Sequence, residues 1–112
     1  VGERVEIRVG SAVDTLREMI ERGEAPFDLI FIDADKKAYV EYLNLSMRLA
    51  HPGTVILADN VIRRVMSPAP GDEDSRGIHA YNEAIAAHPR LESVILPIIR
   101  ENLDGLSISI VR

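Results

Sequence analysis

The chain has 112 residues, room for one small domain and not for two. Its 46% hydrophobic and 28% charged residues describe an ordinary globular protein, and no apolar run approaches the roughly 20 residues of a membrane span. A net charge of −5 argues against nucleic acid as partner, and the absence of cysteine excludes disulfides and thiolate metal sites, which is compatible with a reducing cytoplasm.

The sequence opens on Val1-Gly2-Glu3-Arg4, with neither an initiator methionine nor a signal peptide, and reads as the second part of a longer chain. From Arg4 to Val9, Val5, Ile7 and Val9 alternate with Glu6 and Arg8, the pattern of a half-exposed or edge strand. Gly10 breaks it. Ser11 followed by Asp14 resembles a helix cap, and Val13, Leu16, Met19 and Ile20 give a helical stripe to about Arg22. After Gly23 to Pro26, the unbroken run Leu29-Ile30-Phe31-Ile32 predicts a central parallel strand, buried on both faces, from Asp28 to Asp33.

Val40, Leu43, Met47 and Ala50 then recur at helical spacing from about Lys37, with Tyr39 and Tyr42 beside them. His51-Pro52-Gly53 reads as the stop, with His51 a helix-terminus residue and not a base. Thr54 to Ala58 is a second buried strand, delivering Asp59 and Asn60. Val61 to Asp74 is irregular, a lid or a mobile loop. Ser75 to about His88 is a helix with Ile78, Tyr81 and Ile85 on one face. Leu91 to Ile99 and Leu106 to Val111 form an antiparallel hairpin around Asn102-Leu103-Asp104-Gly105. The order β-α-β-α-β-α-β-β defines an α/β fold, a mostly parallel sheet finished by one antiparallel strand.

Ligands bind at the carboxyl ends of strands in such sheets. Asp33 and Asp59 end two successive apolar runs, so neighbouring parallel strands put both at one edge. With the amide oxygen of Asn60 they form a hard-oxygen set suited to Mg²⁺, with Ca²⁺ as the other candidate. Strand-end aspartates also cap the helices that follow, and the tandem leaves site and cap equally weighted. Lys36, taken alone, reads as a surface lysine on a first helical turn. The adjacent arginines Arg63 and Arg64 read as part of a solvated loop.

The segments Phe27-Asp28-Leu29-Ile30-Phe31-Ile32-Asp33-Ala34-Asp35-Lys36, Tyr39, His51-Pro52-Gly53 and Ala58-Asp59-Asn60-Val61 closely resemble the cation-dependent O-methyltransferases, the caffeoyl-CoA and catechol O-methyltransferase family with its bacterial members. The resemblance covers nearly the whole chain. It implies the C-terminal part of a class I S-adenosylmethionine-dependent, Rossmann-like methyltransferase fold, a single partial domain over 1–112 with the donor-binding half absent. It also implies a cytoplasmic homodimer that acts on a small hydroxylated aromatic.

By the same resemblance, a divalent cation (Mg²⁺ first, Ca²⁺ or Mn²⁺ next) is held by Asp33, Asp59 and Asn60, and Lys36 is the general base. Gly10, Ser11, Ala12 and Asp33 lie against S-adenosylmethionine, and Asp33, Lys36, Asn60 and Arg64 face the acceptor. Asp35 has a supporting or helix-capping place. Arg63 and Arg64 stand where many relatives carry an aromatic and a small polar residue, a departure that fits an acidic or phosphorylated acceptor. Without the upstream half, the expectation is an inactive chain, poorly folded or completed by another chain. Two other readings stand beside this one. Asp33-Ala34-Asp35 after an apolar strand also resembles the Mg²⁺-dependent haloacid-dehalogenase-like phosphatases, with Asp33 as nucleophile. A non-catalytic interaction module is the other.

Overall fold

The structure is a computed structural model that describes residues 2–24, 26–66, 71–99 and 101–112, without the side chain of Arg64. A short 3₁₀ turn at Gly2–Arg4 is followed by α1 (Ala12–Glu21), β1 (Phe27–Ile32), a second 3₁₀ turn at Lys36–Ala38 and α2 (Tyr39–Arg48). Then come β2 (Ala50–Asp59), the single turn α3 (Arg63–Met66), α4 (Glu73–Ala87), β3 (Leu91–Ile99) and β4 (Leu103–Val111). One sheet holds all four strands in the order β1-β2-β4-β3. β1 runs parallel to β2, whereas β4 is antiparallel to both β2 and β3. Among the described residues no helix is long and apolar enough to cross a membrane.

The sheet has two unlike faces. Ile32, Ile56, Ala58 and Val111 point to one side and pack with Tyr39, Tyr42 and Leu43 of α2 and Ile78, Tyr81 and Ile85 of α4. Tyr39 and Tyr81 meet edge to face in this layer, with ring centroids 5.4 Å apart and planes at 73°. Residues paired across the ladder share a face, so Leu29, Val55, Ile110 and Phe31, Leu57, Ile108, Val94 line the opposite side. That side is open: Leu29 is 60%, Phe31 57% and Val94 56% exposed. An apolar face this broad on a four-stranded sheet is what a second helical layer covers in doubly wound folds.

Three expectations are corrected here. Residues 5–9 form no strand. Val5, Ile7 and Val9 are 59%, 83% and 95% exposed, because no ladder partner lies beside them among the described residues. Arg8 ties the segment down by donating to Glu6 and Glu24. The strand ending at Ile32 is likewise not central; it is the sheet edge, buried only at its carboxyl end. Finally, His51-Pro52-Gly53 does not end the helix, which stops at Arg48. These residues lie in β2 at an irregularity, where the register jumps from Phe27↔Ala50 to Leu29↔Val55. Gly53 takes φ +100° there, and Thr54 accepts from His51 N and donates to Phe27 O, closing the bulge. His51 reaches back to the Asp28 carboxylate at 2.6 Å, which holds its ring pKa above the ordinary value.

Other boundaries shift by a few residues. The final strand starts at Leu103, so Asp104 and Gly105 belong to the ladder and not to the turn. Part of the irregular stretch after Val61 is helical as α3, and its residues 67–70 lie outside the described residues.

α4 approaches the segment after β1 closely enough to need glycine. A Cβ at Gly77 would sit 2.3 Å from the Lys36 carbonyl oxygen and 2.6 Å from Lys37 Cα. Both are backbone atoms and cannot swing aside. Gly77→Ala is therefore expected to lower stability by about 1–3 kcal/mol, the cost of overpacking. Urea denaturation checks this, and an unchanged midpoint would contradict the close approach.

Candidate functional site

The site is built on two strand ends. Ile32 pairs with Ala58 in the parallel ladder, so the next residues lie at one edge: Asp33 just past β1, and Asp59 as the last residue of β2, still paired with Leu106. Asn60 follows with φ +64°, the one positive value at a described residue other than glycine. Asparagine tolerates this left-handed turn better than most side chains. Its backbone N–H donates to Asp59 Oδ1 at 2.8 Å, and its side chain reaches Asp104.

Lys36 sits on the 3₁₀ turn that follows Asp33. Its ammonium places its three protons on Asp33 Oδ1 (3.3 Å), the Ala34 carbonyl (2.9 Å) and the Tyr39 hydroxyl (3.0 Å). Tyr39, fully buried, donates its own proton to the Asp59 carbonyl at 2.8 Å. One lysine and one tyrosine thus bridge the two strand ends. Burial alone would lower the Lys36 pKa, but the Tyr39 and Asp33 contacts outweigh it and hold the ammonium above its ordinary value. That is opposite to the lowered pKa a general base needs. Burial also raises the Tyr39 phenol, although Lys36 opposes it.

Asp35 caps the 3₁₀ turn through its carbonyl, with no side-chain cap bond. Its carboxylate instead accepts from the buried Tyr42 hydroxyl, whose pKa burial and this carboxylate push up to about 12.

Two cavities flank the strand ends. One, about 280 Å³, is lined by Gly10, Ala12, Ile32, Asp33 and Ala34 among others. It brings together the residues expected at the methyl donor, except Ser11, whose hydroxyl is turned to Asp14 N as the cap of α1. The second, about 390 Å³, is lined by Asp59, Asn60, Arg63, Glu101, Asp104 and neighbours. Asp33 lies on the first and Asp59 and Asn60 on the second. The side chain of Arg64, expected at the acceptor, lies outside the described residues.

The donors fit a hard divalent cation. Asp33 and Asp59 each have one carboxylate oxygen engaged and the other without a described partner, and an amide stands beside them. Among the described residues no three His, Cys, Asp or Glu side chains gather into a metal cluster, so such a site needs the amide oxygen of Asn60.

Two residues escaped the sequence reasoning. Tyr39 stands beside a helical stripe and among the residues that carry the family resemblance, with no site role assigned; its place three residues after Lys36, one helical turn on, is the signal that could have found that role. Asp104 was read as a turn residue, and nothing local marks its reach to Asn60.

Residues 1–109 match the O-methyltransferase family, and the chain belongs to it. It is 39% identical to the catechol O-methyltransferase of Niastella koreensis over 97% of this chain and 51% of that protein. Identity is also 39% to the catechol O-methyltransferase of Mycobacterium tuberculosis, over 100% of this chain and 50% of that one. The fold superposes with a TM-score of 0.92 on the O-methyltransferase from Bacillus cereus in complex with SAH, at 38% identity, covering 98% of this chain and 51% of that one. The chain thus spans about half the length of the relatives it matches.

Tyr39→Phe removes an acceptor from Lys36 and a donor from the Asp59 carbonyl. Leaving that carbonyl unsatisfied is expected to cost about 1–3 kcal/mol in urea denaturation. Because the Lys36 pKa is raised, its contribution to stability is full below 10.5, the ordinary value, and is lost as pH rises through the folded value. In Tyr39→Phe the Lys36 titration, followed by ¹³C NMR of Cε, shifts to lower pH; an unmoved titration would contradict the bridge.

Proposed function

We propose that this chain carries the cation-binding and proton-handling part of an S-adenosylmethionine-dependent O-methyltransferase whose acceptor is a catechol-like hydroxylated aromatic. The observation that carries the reading is the pairing of the Asp33 and Asp59-Asn60 strand ends with Lys36 seated on Asp33. The names of the relatives support the chemistry, and the SAH carried by the Bacillus cereus protein supports the donor.

Asp33, Asp59 and Asn60 would hold a divalent cation, Mg²⁺ first among the candidates. A bound cation supplies Lewis acidity that makes an acceptor hydroxyl easier to deprotonate, and S-adenosylmethionine supplies the methyl group. This chain's own residues orient, neutralise and move a proton. Lys36 Nζ lies where a proton can be taken up, provided that its pKa falls. Against burial, the Tyr39 hydroxyl and the Asp33 carboxylate hold the ammonium up, and a cation beside Asp33 would offset the carboxylate's share and favour the neutral amine. Tyr39 keeps Nζ in place throughout, since its hydroxyl is itself anchored on Asp59.

The cavity beside Gly10, Ala12 and Asp33 receives the donor, and the one beside Asp59 and Asn60 receives the acceptor. Arg63, on the second cavity, is available to an acidic or phosphorylated substituent.

An ultraviolet titration of catechol tests the reading. A catecholate band is expected to grow with protein only when Mg²⁺ is present and to be abolished in Asp59→Ala, because a lost carboxylate removes both charge and a ligand. A band that needs no Mg²⁺, or that survives Asp59→Ala, would overturn it.

A further inference from the structure

Asp104 is half-buried at the start of β4 and gathers four donors on one carboxylate. Oδ1 accepts from the backbone N–H groups of Ile62 (3.3 Å), Arg63 (3.2 Å) and Gly105 (2.8 Å), while Oδ2 accepts from Asn60 Nδ2 at 3.1 Å. The three backbone N–H groups on Oδ1 can only donate, so the carboxylate meets its neighbours as an acceptor. An acceptor-only partner decides which end of the Asn60 amide faces it, and that end is the NH₂.

A planar amide whose nitrogen is held by Asp104 has its oxygen turned away from that carboxylate. We propose that Asp104 is a positioning residue that fixes the Asn60 amide with its oxygen presented as a ligand for a divalent cation. The inference rests on the proposed role of Asn60 as a cation ligand. It also accounts for the φ of +64° at Asn60: the three backbone bonds to Oδ1 hold the chain from Ile62 on, and the side-chain bond holds Asn60 itself. Gly105 supports the arrangement, since its carbonyl accepts from Val61 N at 3.1 Å. Asp104 acts through Asn60, since Oδ1 is taken up by three backbone donors and Oδ2 by the amide.

Asp104→Asn separates this role from a structural one. The new side chain keeps an oxygen for the three backbone donors but confronts the Asn60 NH₂ with a second NH₂, so Asn60 turns over and offers nitrogen to the cation. Mn²⁺ affinity, measured by electron paramagnetic resonance, is expected to fall about 10- to 100-fold, as for other residues that orient a metal ligand, while circular dichroism and the melting temperature show the fold retained. Exchanging the pair, Asn60→Asp with Asp104→Asn, restores an acceptor–donor match and recovers most of the affinity. Side-chain ¹⁵N–¹H signals of Asn60 shift in Asp104→Asn even without metal.

Mn²⁺ binding that is unchanged in Asp104→Asn, or not recovered by the exchange, would overturn the positioning role and leave the cation reading standing. A wild-type chain that binds no Mn²⁺ would remove both.

Discussion

Everything at the site follows from one register: Ile32 opposite Ala58 in the only parallel pairing among the described strands. Side chains alternate along a strand, so a slip of one residue would turn one aspartate toward the opposite face of the sheet from the other. The register is held from both ends. At the far end Thr54 and His51 tie the β2 bulge to Phe27 and Asp28. At the near end Ile32, Ile56 and Ala58 are buried against α2 and α4. A hydrophobic layer thus fixes the strand ends that carry the two aspartates at one edge of the sheet.

The second link between core and chemistry is Tyr39. Its ring is buried against Tyr81, while its hydroxyl stands between Lys36 and the backbone of Asp59. Lys36 is half-buried and bonded on three sides, which restricts a side chain that elsewhere loses much rotamer freedom on being ordered. Close packing of Gly77 against the Lys36 carbonyl positions the same turn from behind. On the other flank Asp104 orders the turn from Asn60 to Arg63. Lysine and amide are each placed by a residue on a different element, which is how a site at a sheet edge keeps its geometry without belonging to any one loop.

Much of this was legible in the sequence where local pattern and burial agree. The apolar runs ending in Asp33 and Asp59-Asn60 marked two strands and their shared edge, and the closing hairpin was plain from its two strands and short turn. Pattern failed where tertiary surroundings decide. Leu29 and Phe31 carry the residues of a doubly covered strand, yet they face an open side, because apolarity records what a residue can bury and not what is there to cover it. Residues 5–9 alternate like a strand but have no ladder partner among the described residues. His51-Pro52-Gly53 has the residues of a helix stop, and it is a bulge because Thr54 and Asp28 supply bonds from across the ladder. Asp104 lies 44 positions from Asn60, and only the folding of β4 against β2 brings them together.

The central claim is that paired strand ends assemble one cation site. Crystals soaked in Mn²⁺ and measured at its absorption edge test it directly. The account predicts a single anomalous peak about 2.0–2.6 Å from one oxygen each of Asp33, Asp59 and Asn60, the range for hard divalent cations. A peak elsewhere, or none between these three residues, would contradict it.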